Sequence, residues 1–226
     1  MARLTIFEAM PAVIDRYGKE DATQIYDEIL SSRDFANHAL QLDEPVTDIY
    51  VHVATAAETK QSFITVEGKL VGWEDVELTI GEGPAKETMK DIRGTVVHEI
   101  LHLDHKGRQS HRTKAGEIQR PKWDVFDYMM LEGVAMFGEE QLVGACEVSS
   151  SDVADADLLE IVSEALAFPD TADPYEFIVA PIGKMNMKGY CAGHYVVSAM
   201  AGATMSLSEV LDTDLATYRD YARGLL

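Results

Sequence analysis

Two histidines four residues apart, with a glutamate beside the first, are the strongest chemical signal in this sequence. They lie in Val96-Val97-His98-Glu99-Ile100-Leu101-His102, an HExxH pattern. On an α-helix a four-residue step turns about 40° and climbs one turn, so both imidazoles share a face. Two imidazoles so placed can grip one Zn²⁺. Glu99 lies close to the same face and can take a proton from a water held there. The plain alternative is a surface helix with ordinary charges. The context argues against it, because the motif falls mid-helix with apolar residues on the opposite face.

A catalytic zinc keeps three protein ligands and one open position. A third histidine six residues after the second would need His at 108 and Gly at 105, but the chain has Arg108 and His105. The other common choice is a glutamate on a following helix, and Leu131-Glu132-Gly133-Val134-Ala135 supplies one. Glu132 is a carboxylate among Phe126, Met129, Met130, Val134 and Phe137. Burying it is costly unless it is paired or bound to a metal. Gly133 and Ala135 beside it allow another helix to approach closely. The competing reading is a glutamate that faces solvent. Glu139 lies seven residues on, on the same face, and is a candidate to accept a hydrogen bond from a ligand histidine. Asp104, Asp127 and Glu140 compete for that role.

Elements that must hold these groups are readable from periodicity. Residues 5–40 read as helices, with Phe7, Met10, Val13 and Ile14 as a first apolar face, Gly18 as a stop, and Ile25, Ile29 and Leu30 in a second helix. Residues 47–81 change to period two. Ile49, Val51 and Val53 alternate; Phe63–Val66 and Leu70–Trp73 flank Glu67-Gly68-Lys69 as a hairpin; Val76, Leu78 and Ile80 alternate again. The metal-motif helix spans about 87–106, with Met89, Ile92, Val96, Ile100 and Leu103 as its buried stripe and Gly107 as its end. Asp124 caps a helix that runs to about 143, with Gly144 past its end. Ser151 caps a third helix, a fourth covers about 187–203, and Ser206 with Glu209 forms a capping box for the last. Helices, a small sheet, then helices make an α+β protein. We read residues 1–226 as one domain, with helices, sheet and HExxH helix in 1–110 and a helical lobe carrying the third ligand in 111–226.

The composition narrows the partners. The chain has 226 residues, 39 Asp plus Glu against 19 Lys plus Arg, and a net charge of −20. That balance excludes a nucleic-acid binder, which needs a basic footprint, and disfavours an anionic membrane surface. Tyr195–Leu207, the longest weakly polar stretch, is shorter than the roughly 20 residues of a membrane span. The N-terminus does not resemble a secretory signal, and Cys146 and Cys191 read as free buried thiols, so the expected setting is cytoplasmic. Against the acidic background, Lys106, Arg108, Arg112, Lys114, Arg120 and Lys122 crowd between the two ligand helices, with only Glu117 opposing them. That segment is either a solvated loop or a device that recruits an acidic peptide. His105 and His111 within it read as surface histidines.

HExxH followed by a glutamate on a later helix resembles the gluzincin metallopeptidases, the thermolysin and aminopeptidase type. More closely, Phe126–Glu140 looks like the glutamate helix of a family of predicted zinc-dependent proteases of unknown function. Gly189-Tyr190-Cys191-Ala192-Gly193-His194-Tyr195-Val196-Val197 is similar to that family's C-terminal helix. The matched blocks cover about a third of the chain. The 29 residues between His102 and Glu132 exceed the compact gluzincin spacing. The resemblance implies a zincin-like fold, zinc on His98, His102 and Glu132, and Glu99 as general base. It also implies a substrate running antiparallel to an edge strand, read here as 75–81. Gluzincins commonly use a Tyr or His to stabilise the oxyanion. Tyr190 and His194, one turn apart on one face, are the candidates; the alternative is an aromatic pair that merely packs. The activity expected is hydrolysis of peptide bonds, with a zinc-binding regulatory or chaperone-like module as the second reading and an accidental motif on a helical scaffold as the third.

Overall fold

A computed structural model describes residues 5–42, 45–54, 66–71, 75–109, 111–112, 118–119, 123–144, 153–168, 174–182 and 186–226. The protein is mixed α+β, mostly helical with a small three-stranded sheet. It divides into two compact units, Met1–Leu103 and Asp104–Leu226. Among the described residues no helix is long and apolar enough to cross a membrane.

The first unit opens with α1 (Ile6–Tyr17) and α2 (Lys19–Leu40), separated by Gly18 at φ +81°, a backbone state that side chains rarely adopt. The buried face of α1 is Ile6, Ala9 and Val13. This corrects the expected stripe: Phe7 is 69% exposed and Ile14 is exposed as well. Small Ala9 lets α1 lie against α2 and the first strand, and Phe7 instead meets Tyr26 at 5.3 Å between ring centres. Ala22, Ile25, Ile29, Ala36 and Leu40 recur at helical spacing and bury α2.

Three strands follow, β1 (Ile49–Val53), β2 (Val66–Val71) and β3 (Asp75–Ile80), in the spatial order β1-β3-β2. β1 runs parallel to β3, and β2 runs antiparallel to it. The register aligns Val51, Leu78 and Gly68 across the sheet, with Ile49, Val76 and Leu70 on one side of that row. Period-two alternation puts all of these on one face, and Ile49, Val51, Val66, Val76, Leu78 and Ile80 on it are buried. On the opposite face Lys69 pairs with Glu77 at 2.8 Å. Arg16 pins one end of the sheet by donating to the carbonyls of Ala54, Ile80 and Gly81, and the Tyr17 hydroxyl donates to Gly81 O at 2.8 Å.

Two expectations about this sheet are corrected. Glu67-Gly68-Lys69 is not a hairpin turn; it is the middle of β2, every residue of which pairs with β3. Residues 75–81 do not form an edge, because β3 is the central strand. Phe63–Thr65, Gly72 and Trp73, also assigned to the hairpin, lie outside the described residues.

Next comes α3 (Ala85–Gln109), with Ile92, Val96 and Ile100 fully buried. It continues through Gly107, the expected stop. Arg108 holds the last turn by a bidentate pair with Asp104 one turn earlier, at 2.9 Å for each bond.

The second unit contains a two-residue ladder of β4 (His111–Arg112) with β5 (Ile118–Gln119), then α4 (Val125–Val143), α5 (Asp155–Ala167), α6 (Pro174–Ile178), a second short ladder of β6 (Pro181–Ile182) with β7 (Asn186–Met187), α7 (Lys188–Ala201), α8 (Leu207–Asp212) and α9 (Leu215–Leu225). As expected, Asp124 caps α4: its side chain accepts from Asp127 N at 3.0 Å while Asp127 accepts from Asp124 N at 3.3 Å. Gly144 ends α4 at φ +83°. The Ser206–Glu209 box caps α8. The third expected helix starts later than predicted, at Asp155 with Ala154 as its cap; Ser151 lies outside the described residues.

α4 is buried on nearly every side, and α7 is its principal neighbour. The contact runs through glycines. A methyl group on Gly133 would stand 2.7 Å from the Gly193 Cα and overlap that residue's backbone. Close approach of two helices at glycine is what the residues beside Glu132 suggested. Arg219 from α9 locks the start of α4, donating to Asp124 at 2.8 and 2.9 Å and to Asp127 at 2.7 Å while lying over the Phe126 ring.

Candidate metal centre

His98 and His102 project from α3 one turn apart, as the spacing requires, with ring centres 4.7 Å apart and an edge-on angle of 85°. His102 is buried at 5% exposure. On α4, Glu132 is half-buried. One ligand atom from each of His98, His102 and Glu132 falls within 4.8 Å of the others. Zinc bonds of about 2.0 Å in tetrahedral geometry set ligand atoms roughly 3.3 Å apart, a shorter spacing than that upper bound. Two imidazoles and one carboxylate are a donor set that suits zinc and leaves a position open.

Glu99, 7% exposed, lies against β2 at Gly68. A carboxylate next to a candidate ligand histidine and mostly shielded from water is suited to proton transfer.

The other candidates are placed as follows. Tyr190 is half-buried on α7. His194, 8% exposed, lies outside the three-residue group; its Nε2 is 3.0 Å from a Glu140 carboxylate oxygen and 3.3 Å from the Ser198 hydroxyl. Of the proposed acceptors for a ligand histidine, Asp104 holds Arg108, Asp127 holds Arg219, and Glu140 holds His194. Glu139 is buried at 7% exposure.

The electrostatics follow the same pairings. Burial raises the Asp127 carboxyl above its ordinary value, against the lowering by Arg219. Burial alone pushes the Cys191 thiol up to about 11, consistent with the inert buried cysteine expected from the sequence. Cys146 lies outside the described residues.

The basic segment between α3 and α4 is modified by what it touches. Arg108 binds Asp212 as well as Asp104, so its charge is matched. Lys106 lies 5.6 Å from the centre of the Trp123 ring. The side chains of His111, Arg112, Lys114, Glu117, Arg120 and Lys122 lie outside the described residues. His105 is not a surface histidine; it is fully buried on α3. It sits seven residues from His98, which returns it to the same helix face.

Two residues, one against Glu99 and one at the start of α4, were not foreseen from the sequence. Gly68 could have been suspected as an isolated glycine in a strand pattern, a sign of close backbone approach. Arg219 carried no such signal, because its acidic partners are far away in the chain.

No family model, curated protein or solved structure matches this chain.

Proposed function

We propose that this protein is a zinc-dependent peptidase of zincin-like fold, with His98, His102 and Glu132 as ligands and Glu99 as general base. The observation that carries the reading is the convergence of the HExxH pair with the one glutamate chosen from sequence as third ligand. When bound there, zinc supplies Lewis-acid polarisation of the scissile carbonyl and lowers the pKa of water. Glu99 takes the proton of the attacking water and delivers it to the departing amine nitrogen. Tyr190 or His194 donates a hydrogen bond to the carbonyl oxygen as charge builds on it. An extended peptide is aligned by main-chain pairing along β2, an edge strand that lies against Glu99 at Gly68, in place of the segment 75–81. Acidic peptides are the preferred substrate class on account of the basic segment, with Arg108 contributing least.

Metal analysis and a peptide panel with a chelator control test this. The expected result is one zinc per chain, lost in His98→Ala, and chelator-sensitive cleavage. Glu99→Gln should keep the zinc and lower kcat by about 10²–10⁴. A metal-free wild-type protein, or an unimpaired Glu99→Gln enzyme, overturns the proposal.

A further inference from the structure

Gly68 occupies the middle of β2, where glycine weakens a strand and offers nothing to pack. Backbone freedom does not explain it, because among the described glycines positive φ occurs at Gly18, Gly144 and Gly202. The surroundings do. A Cβ on residue 68 would stand 2.6 Å from Glu99 Cγ, 2.8 Å from Glu99 Oε1 and 2.7 Å from Thr95 Cγ2. The strand has little room to retreat: Val66, Gly68 and Leu70 are in register with Ile80, Leu78 and Val76, which are all fully buried. Any side chain at 68 therefore acts first on the flexible Glu99, whose carboxylate can turn about its own bonds.

We propose that Gly68 is a positioning residue: the missing side chain on β2 defines the place of the Glu99 carboxylate. This rests on the reading of Glu99 as general base and goes beyond it, by assigning the orientation of that base to the sheet. A misplacement of about 1 Å can cost on the order of 10²-fold in rate.

The test compares Gly68→Ala with wild type and with Lys90→Ala, an exposed change near the start of α3. Gly68→Ala is expected to bind one zinc per chain, keep KM, lose ~10²-fold in kcat, and show the Glu99 side chain rotated away in its crystal structure. Lys90→Ala is expected to match wild type. If Gly68→Ala does not fold, adding Thr95→Ser removes the Thr95 methyl and leaves the Glu99 contact intact; that double variant should fold, bind zinc and remain slow. Failure of both variants to fold assigns Gly68 to plain helix–strand packing and overturns the proposal. A soluble, zinc-loaded Gly68→Ala protein with unchanged kcat, or with Glu99 in its original place, overturns it as well. If wild type cleaves no peptide, the peptidase reading fails, while the Glu99 position in the variant crystal still decides the role of Gly68.

Discussion

Helices α3 and α4 differ in how sequence sets the position of a functional side chain. On α3 the residues concerned are neighbours in the chain, so helix geometry alone brings His98 to His102 and places Glu99 beside them. On α4, Glu132 is far along the chain from the two histidines. Its place depends on how deeply α4 is buried, on the Gly133–Gly193 contact with α7, and on the Arg219 clamp at the start of the helix. A local device tolerates change elsewhere in the protein. A packed one transmits it.

The largest expected effect tests that contrast at the ligands. His102→Ala should abolish zinc binding, because the helix-encoded pair is broken. Glu132→Ala should leave the pair and weaken binding by more than the ~10–100-fold typical of an outer-shell partner. Equilibrium zinc titration against a competing chelator reads both, and equal affinity in Glu132→Ala and wild type would remove α4 from the site. Next in size is Gly133→Ala. Overpacking of this kind costs about 1–3 kcal/mol, more where backbone is struck, so chemical denaturation should show a lower midpoint. In a Cys146→Ser background, alkylation of Cys191 should then speed up as α7 loosens, and an unaltered rate and midpoint would show that the glycine contact is not tight. The smallest effect is expected from Asp124→Ala, which removes the α4 cap at about 0.5–2 kcal/mol and one of the Arg219 partners. Thermal unfolding measures it, and a loss near zero would mean that Asp127 holds Arg219 unaided.

What could be read from sequence follows the same divide. The helical halves, the caps at Asp124 and Ser206, the period-two segments and the HExxH face rest on neighbours within one or two turns. The two caps, the strands at 49–53 and 75–80 and the histidine pair appear in the structure as expected, whereas the apolar face of α1 and the helix stop at Gly107 do not. Glu132 was legible for another reason, as a charge in an otherwise apolar helix. The failures are long-range. Glu67-Gly68-Lys69 has the composition of a turn, but pairing with β3 and the approach of Glu99 make it a strand interior. The central place of β3 depends on β1 pairing with it in parallel, which alternation cannot reveal. His105 belongs to a polar stretch in sequence, and only its helix face explains its burial.

The parallel pairing of β1 with β3 also bears on how the sheet assembles. β2 and β3 are close in the chain and antiparallel, whereas β1 must reach β3 from beyond β2. Non-local pairing meets its chain-closure cost before its contacts are rewarded. The expected order is β2 onto β3 first and β1 afterwards. Trimming Val51 should then mainly hasten unfolding, while trimming Val66 should mainly slow folding, a difference visible in the two arms of a denaturant chevron. On this view the strand that faces Glu99 forms early, and the lifetime of the folded unit is governed at the opposite edge of the sheet.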